Sequence, residues 1–140
     1  AFSGCYYLAS IIIPNSVTKI EGGAFAGCTS LTSFAIPESV IEIGEDAFKG
    51  CTSLTNITIP ESVTEINGLA FSGCTNLTSI TIPNNVTTIT VSAFSGCTNL
   101  NTIKYNGTVA QWSLVKKGSK WNHKVPAMAV VCSDGKAPIK

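Results

Sequence analysis

The stretch CTSLTNITIPESVTEINGLAFSG, residues 51–73, decides the fold, because its pattern also fills residues 5–27, 28–50 and 74–96. Its first residue recurs as Cys5, Cys28, Cys51, Cys74 and Cys97, each 23 positions after the last. A fixed internal period of this length marks a chain of stacked units rather than one folded about a single centre. Seven positions per copy are apolar in all four copies; in the first they are Leu8, Ile11, Ile13, Val17, Ile20, Ala24 and Phe25. The main variation is Phe34 in the first isoleucine column. Pro14, Pro37, Pro60 and Pro83 share one column, and Gly27, Gly50, Gly73 and Gly96 another.

The conformation of one copy follows from these residues. Leu54 to Ile59 ends in period-two alternation and is rich in β-branched residues, which predicts a short strand. Pro60 ends it, since proline has no N–H for a ladder and holds the residue before it extended. Val63 and Ile66 turn a second apolar edge inward, Ala70-Phe71 closes the far side, and Gly73 permits the bend into the next copy. No heptad or sustained 3.6-residue period is present, so a helical solenoid is disfavoured. One coil cannot bury its own apolar face, whereas stacked coils can. The expected fold is therefore a repeat solenoid: short parallel β-strands stacked in one curved sheet, a mostly irregular far side, and an α+β C-terminal cap.

The motif L-x-x-I-x-I, with Phe34 in place of the first isoleucine in the second copy, resembles the leucine-rich repeat. The proline after the strand, the later V-x-x-I and the closing A-F-x-G-C are more specific. Together they resemble the BspA-like class of leucine-rich repeats, found in surface proteins of host-associated bacteria and some protozoan parasites. The resemblance covers about residues 1–103. It implies a non-enzymatic surface or secreted module for adhesion, matrix-protein binding or cell–cell aggregation. At the usual Asn/Cys position of the general leucine-rich pattern stand Ser16, Ser39, Ser62 and Asn85, and the next apolar residue comes one place early. The turn after the strand should differ accordingly.

The organisation reads as a solenoid over 1–103 and a cap over 104–140. The solenoid comprises a partial repeat at 1–4, full repeats at 5–27, 28–50, 51–73 and 74–96, and a transition at 97–103. Ala1-Phe2-Ser3-Gly4 reproduces the last four positions of a repeat, so the N-terminal end reads as a cut surface. From Lys104 the pattern changes: Tyr105 takes an isoleucine column and Asn106 replaces the proline. Thr108 to Gln111 fits a capping box, predicting a helix through Trp112 and Val115 to about Lys117 with Gly118 as its stop. Val125 to Cys132 reads as a strand, Ser133-Asp134-Gly135 as a turn, and Ala137 to Lys140 as a last strand. The tail also resembles segments that follow BspA-like repeats, and its expected task is to cover the open end of the stack.

Composition narrows the function classes. Ser and Thr are abundant throughout while only 12% of the chain is charged, so the surface is polar mainly through hydroxyls. Residues 1–103 carry two Lys and seven acids, a net of −5; residues 104–140 carry seven Lys and Asp134, a net of +6. There is no Arg, which weakens phosphate recognition. No apolar run approaches the roughly 18–20 residues of a membrane span. No signal peptide is visible, and one is expected upstream of the quoted sequence, in keeping with an extracellular or cell-surface location.

Candidate chemistry is sparse. Cysteines at the repeat spacing form a ladder rather than a close C-x-x-C zinc pair, and parallel Cβ vectors suit disulfides poorly, so buried, reduced thiols are expected. His123, with Cys132 and Asp134 near it in sequence, matches no known catalytic motif, and a solvated loop histidine is the plainer reading. Glu38, Glu42, Glu61 and Glu65 recur because the repeat recurs, not as an acid/base pair. No catalytic residue, metal, cofactor or small-molecule substrate is expected. Asn-x-Thr sequons at Asn56, Asn76, Asn85 and Asn106 are near what composition alone would produce.

The best candidate site is the outward face of the strands: Ser10 and Ile12, Ser33 and Ala35, Asn56 and Thr58, Ser79 and Thr81, Thr102 and Lys104. This strip is small-residued and hydroxyl-rich, and it suits a protein partner such as a host matrix or cell-surface protein. A solvated scaffold face is the competing reading, since the strip lacks the Tyr, Trp and Arg anchors of tight interfaces. Two further functions stand beside binding: an accessory or spacer region of a larger secreted enzyme, and polyanion binding by Lys116, Lys117, Lys120 and Lys124 interleaved with Trp112 and Trp121. Nucleic acid is disfavoured as a partner.

Overall fold

In the computed structural model, which describes residues 2–32 and 34–139, each copy of the repeat makes one coil and the coils stack in register. Among these residues the elements in chain order are β1 (Lys19–Ile20), β2 (Glu42–Ile43), β3 (Asn56–Thr58), β4 (Glu65–Ile66), β5 (Ser79–Ile82), β6 (Thr88–Ile89), β7 (Thr102–Tyr105), α1 (Val109–Leu114), β8 (Lys116–Lys117), β9 (Ala129–Cys132) and β10 (Gly135–Pro138). The β-solenoid expected from the repeat is what forms. The strand read at Leu54 to Ile59 is shorter, Asn56–Thr58, because Leu54 belongs to a turn in which its N–H donates to the Cys51 carbonyl at 3.2 Å.

The strands make two five-stranded sheets rather than one. The first has the order β10-β9-β7-β5-β3, and the second the order β1-β2-β4-β6-β8. The far side read as mostly irregular therefore carries a second parallel ladder. Its strands are too short for alternation to show in the sequence, and they become a sheet only when coils stack. In the first sheet, strands begin at Asn56; at the equivalent positions of the first two coils, Ser10, Ile11, Ile12, Phe34 and Ala35 lie outside any strand.

The proline column acts as expected. The carbonyls of Pro14, Pro37, Pro60 and Pro83 accept the N–H of Val17, Val40, Val63 and Val86, closing one turn per coil. Beyond the second sheet, left-handed backbone recurs at Gly23, Asp46, Leu69, Ser92 and Lys120, and again at Gly4, Gly27, Gly50, Gly73, Gly96 and Lys124. The second column favours glycine for its backbone conformation rather than for space: a Cβ on Gly96 would meet the Gly73 nitrogen of the coil before at 3.5 Å, an ordinary contact. Lys120 and Lys124 show that the chain traces a further coil after Cys97, although the apolar columns have gone.

The interior is a stack of phenylalanines. Phe2, Phe25, Phe48, Phe71 and Phe94 lie ring on ring, with centroids 5.3–5.5 Å apart and planes within 4–6°. Phe34 wedges edge-on against Phe25 and Phe48, its centroid 4.9 Å from each. Phe48, Phe71 and Phe94 are fully buried. At the C-terminal end Trp121 closes the column, edge-on to Phe94 at 6.3 Å, with Trp112 packed against it.

Residues 104–139 continue both ladders, β8 joining the second sheet and β9 and β10 the first. The capping box forms: Thr108 Oγ1 accepts from the Gln111 N–H, and Gln111 Oε1 accepts from the Thr108 N–H. The helix stops at Leu114 instead of running to about Lys117. Backbone bonds from Lys116 and Gly118 N–H to the Thr87 and Ile89 carbonyls pull that segment into the ladder. The strand read from Val125 covers Ala129–Cys132, because Val125 N–H closes a turn onto the Asn122 carbonyl and Ala127 N–H bonds the Leu100 carbonyl. The last strand is Gly135–Pro138, paired with β9 from the first residue after the turn, rather than Ala137 to Lys140; Lys140 lies outside the described residues.

Candidate functional site

Alternation in the first sheet aims Ile57, Ile80 and Ile103 into the core and leaves their neighbours outside. Two outward rows result: Asn56, Ser79 and Thr102 are register partners in one, and Thr58, Thr81 and Lys104 in the other. Ser79 and Thr81 are half-buried and the other four exposed. Six of the expected strip residues are thus brought side by side. Ser10, Ile12 and Ala35 are exposed in the same repeat columns but lie in no strand, and Ser33 falls outside the described residues.

The cap lengthens this face. Lys104 is the register partner of Val131, and Val131 of Lys136. The second row therefore runs Thr58, Thr81, Lys104, Val131, Lys136 across five strands. Below it a groove of about 390 Å³ is lined by residues that include Thr102, Met128, Val131 and Lys136. Met128 is 87% exposed and Val131 40%, so the face acquires apolar contacts that the strip of the repeats lacks. Sequence reasoning did not find these residues. The alternation of Val130 and Cys132 with Ala129 and Val131 marks a strand, but its partner β7 is reached only after a helix and a further coil, outside the repeat register.

The hydroxyl-rich composition has a structural use. Ser39 Oγ donates to the Val17 carbonyl at 2.6 Å, Ser62 Oγ to the Val40 carbonyl, and Asn85 Nδ2 to the Glu61 carbonyl at 2.6 Å. These are the residues at the unusual Asn/Cys position, and each satisfies a turn carbonyl of the preceding coil. Ser53 and Asn99 do the same for Thr29 and Thr75 on another turn.

The cysteine ladder is also accounted for. Cys28, Cys51, Cys74 and Cys97 are buried free thiols, and each Sγ lies 3.0–3.2 Å from the carbonyl of the column phenylalanine one coil back: Phe2, Phe25, Phe48 and Phe71 in turn. Burial raises the Cys28 thiol above its ordinary value and pushes Cys51 up to about 12, so the unreactive protonated form is favoured. Among the described residues no group of three or more His, Cys, Asp or Glu is placed to hold a metal ion.

Other candidates are dispersed or occupied. Asp134 Oδ1 accepts the Val109 N–H at 2.8 Å and so caps α1, Cys132 is buried, and His123 is exposed. The tryptophans of the polyanion reading are buried in the cap. Lys117 is turned inward: its Nζ bonds the Trp112 and Val115 carbonyls and lies 4.5 Å from the Trp112 ring centre, and burial lowers its pKa. Lys116, Lys120 and Lys124 remain exposed.

Comparison with known proteins agrees with this architecture. Residues 1–114 match the BspA type leucine rich repeat region in six copies. Among solved structures, a leucine rich cell surface protein from Faecalibacterium prausnitzii A2-165 is 40% identical, with a TM-score of 0.63; the match covers 77% of this chain and 35% of that one. The T. pallidum leucine rich repeat protein is 35% identical with a TM-score of 0.75, covering 84% of this chain and 53% of that one. A leucine-rich repeat protein from Bacteroides ovatus ATCC 8483, at 23% identity and a TM-score of 0.52 over 96% of this chain and 51% of that one, shares the fold. The chain thus spans about a third to a half of the length of these proteins. No curated protein matches the chain.

Proposed function

The chain belongs to the BspA-type leucine-rich repeat family, and from that premise we propose that it is a non-catalytic adhesion or protein-binding module of a bacterial surface or secreted protein. In this reading the solenoid of residues 1–103 presents the outward rows of the first sheet, and residues 104–140 both cover the stack and enlarge the face. The observation that carries it is the continuity of the second of those rows across five strands, from Thr58 to Lys136. Regular sheets on a rigid solenoid supply extended surfaces of this kind. The exposed Met128 and Val131 give it the apolar contacts that interfaces use at their centres. The partner is a protein, such as a host matrix or cell-surface component. The description of the F. prausnitzii protein as a cell surface protein supports the location.

The test is adhesion of beads carrying the chain to surfaces coated with extracellular matrix proteins. Thr58→Arg/Thr81→Arg on the face and Lys120→Glu away from it are compared with the unaltered chain. The face variant should bind at least ~10-fold more weakly and Lys120→Glu within ~2-fold. Retention of full adhesion by the face variant moves the site elsewhere. Failure of the unaltered chain to adhere favours the accessory role in a larger protein.

A further inference from the structure

The five strands of the first sheet contain no acidic residue, and their only charged side chains are Lys104 and Lys136. Their register places Lys104 beside Val131 and Val131 beside Lys136, so the last three members of the second outward row run cation, apolar, cation. Adjacent strands lie about 4.8 Å apart, which sets the Cα atoms of the two lysines about 10 Å apart with Val131 between them. All three side chains are exposed. Among the described residues the ion pairs are made by Lys19 and Lys49, so neither lysine of this face has a carboxylate partner there. The chain's own acids are placed elsewhere. Asp134, the one acid after Glu65, is turned to α1, where its Oδ1 accepts the Val109 N–H at 2.8 Å, and the others, from Glu21 to Glu65, lie outside the first sheet.

Apolar surface adjoins this row. Met128 lines one groove with Val131 and Lys136, and a second, of about 370 Å³, with Val125, Pro126, Pro138 and Ile139. Met128 takes no part in the core, and an exposed, unbranched thioether adapts its shape to an apolar side chain laid against it.

We infer that the partner presents to this face an extended segment of the pattern acid, spacer, apolar, spacer, acid. Its two carboxylates meet Lys104 and Lys136, and its apolar side chain lies against Val131 and Met128. The inference rests on the reading of this face as a protein-binding site and adds the chemistry of what binds there. An extended chain turns every second residue to the same side, about 6.6 Å apart, and the flexible lysine stems take up the difference from the strand spacing. Opposite charges on the two sides of the contact fix its register and speed its formation. A polyanion would call for an unbroken basic stripe, whereas here Val131 interrupts the cations and the row continues as uncharged Thr81 and Thr58. The contact is a few residues wide, so it is weak as a single site.

Titration of the isotope-labelled chain with the blocked peptide Ser-Glu-Ser-Leu-Ser-Glu-Ser, followed by amide shifts, tests this. Saturable shifts are expected at Lys104, Val131, Lys136 and Met128, with a Kd on the order of 1 mM at low salt. Replacing the peptide's leucine by serine should weaken binding at least ~5-fold, and the lysine analogue Ser-Lys-Ser-Leu-Ser-Lys-Ser should leave these amides unmoved. The double variant Lys104→Glu/Lys136→Glu should exchange the two preferences, losing the glutamate peptide and gaining the lysine one, which also shows that it is folded. Absence of shifts on this face up to about 10 mM peptide overturns the inference. So does binding that survives in the double variant, and so does a sulfated heparin disaccharide that moves the same amides as strongly as the peptide. Adhesion is read separately: a chain that adheres to matrix proteins yet takes no glutamate peptide refutes the inference alone. A chain that takes the peptide but adheres to no protein surface refutes the adhesion reading and leaves the peptide site standing.

Discussion

The two ends of the phenylalanine column meet solvent differently. At the C-terminal end Phe94 is fully buried under Trp121 and Trp112, and the first sheet finishes in an edge strand containing Pro138, which has no N–H to offer another strand. At the other end Phe2 is 38% exposed, and Cys5, Leu8, Ile11, Ile13 and Val17 are only partly covered, while their equivalents in the third coil are fully buried or nearly so. The same side chain in the same column therefore contributes according to its neighbours. A repeat supplies half an interface, and its stability is realised only when the next coil supplies the other half.

The largest expected effect comes from substituting along the column. Phe71→Ala should cost on the order of 3–5 kcal/mol in urea denaturation, because the rings on both sides lose their contact. Phe2→Ala, with one neighbour, should cost less than about 1.5 kcal/mol. Similar losses at the two positions would mean that the column is not the unit of stability. Next, Trp121→Ala should cost about 3 kcal/mol and make the exposed end resemble the first coil. If fluorescence of Trp112 and the denaturation midpoint both stay unchanged, the cap does not seal the stack.

Hydrogen exchange sharpens the comparison between coils. Amides of residues 5–20 should exchange at least ~10-fold faster than the matching amides of residues 51–66, since local opening follows contact density. Equal protection in a verified monomer would contradict the difference in burial. The thiols report the same gradient: Cys5 should label first under native conditions, and Cys51 and Cys74 at the rate of unfolding. Because the Cys51 thiol is raised to about 12 in the fold, the folded chain holds a proton that the unfolded chain releases near pH 8.5. Its contribution to stability is complete below about pH 8.5 and declines as pH rises toward about 12, so the denaturation midpoint should fall over that window. A midpoint that rises there would reverse the sign of the argument.

The smallest expected effect concerns the left-handed column. Leu69 sits at φ 59° where the first coil has Gly23, so Leu69→Gly should be neutral or stabilise by up to about 1 kcal/mol. A loss above about 1 kcal/mol would show that Leu69 packing outweighs its backbone strain.

Much of the fold was legible because the repeat states each requirement several times. The apolar columns, the proline turn and the glycine bend each depend on residues within a few positions, so period and residue type suffice to read them. The same holds for the Thr108 capping box, which is local. Part of the candidate site was legible on the same ground: Asn56, Thr58, Ser79, Thr81, Thr102 and Lys104 follow from alternation plus the period. The rest depended on contacts that no period records. The second ladder consists of residue pairs such as Glu65–Ile66, extended because a neighbouring coil bonds them, and pairs that short carry no pattern. The helix end at Leu114 was decided by the Thr87 and Ile89 carbonyls, which draw Lys116 and Gly118 into the sheet against the local helix signal. The placement of Val131 between Lys104 and Lys136 required the chain to return past the helix and the last coil, and then fold back as a hairpin. Sequence by itself determined the coil, because every coil solves the same local problem. The tertiary structure decided the cap and the faces, because after Tyr105 the chain leaves the repeat register and its partners lie elsewhere in the chain.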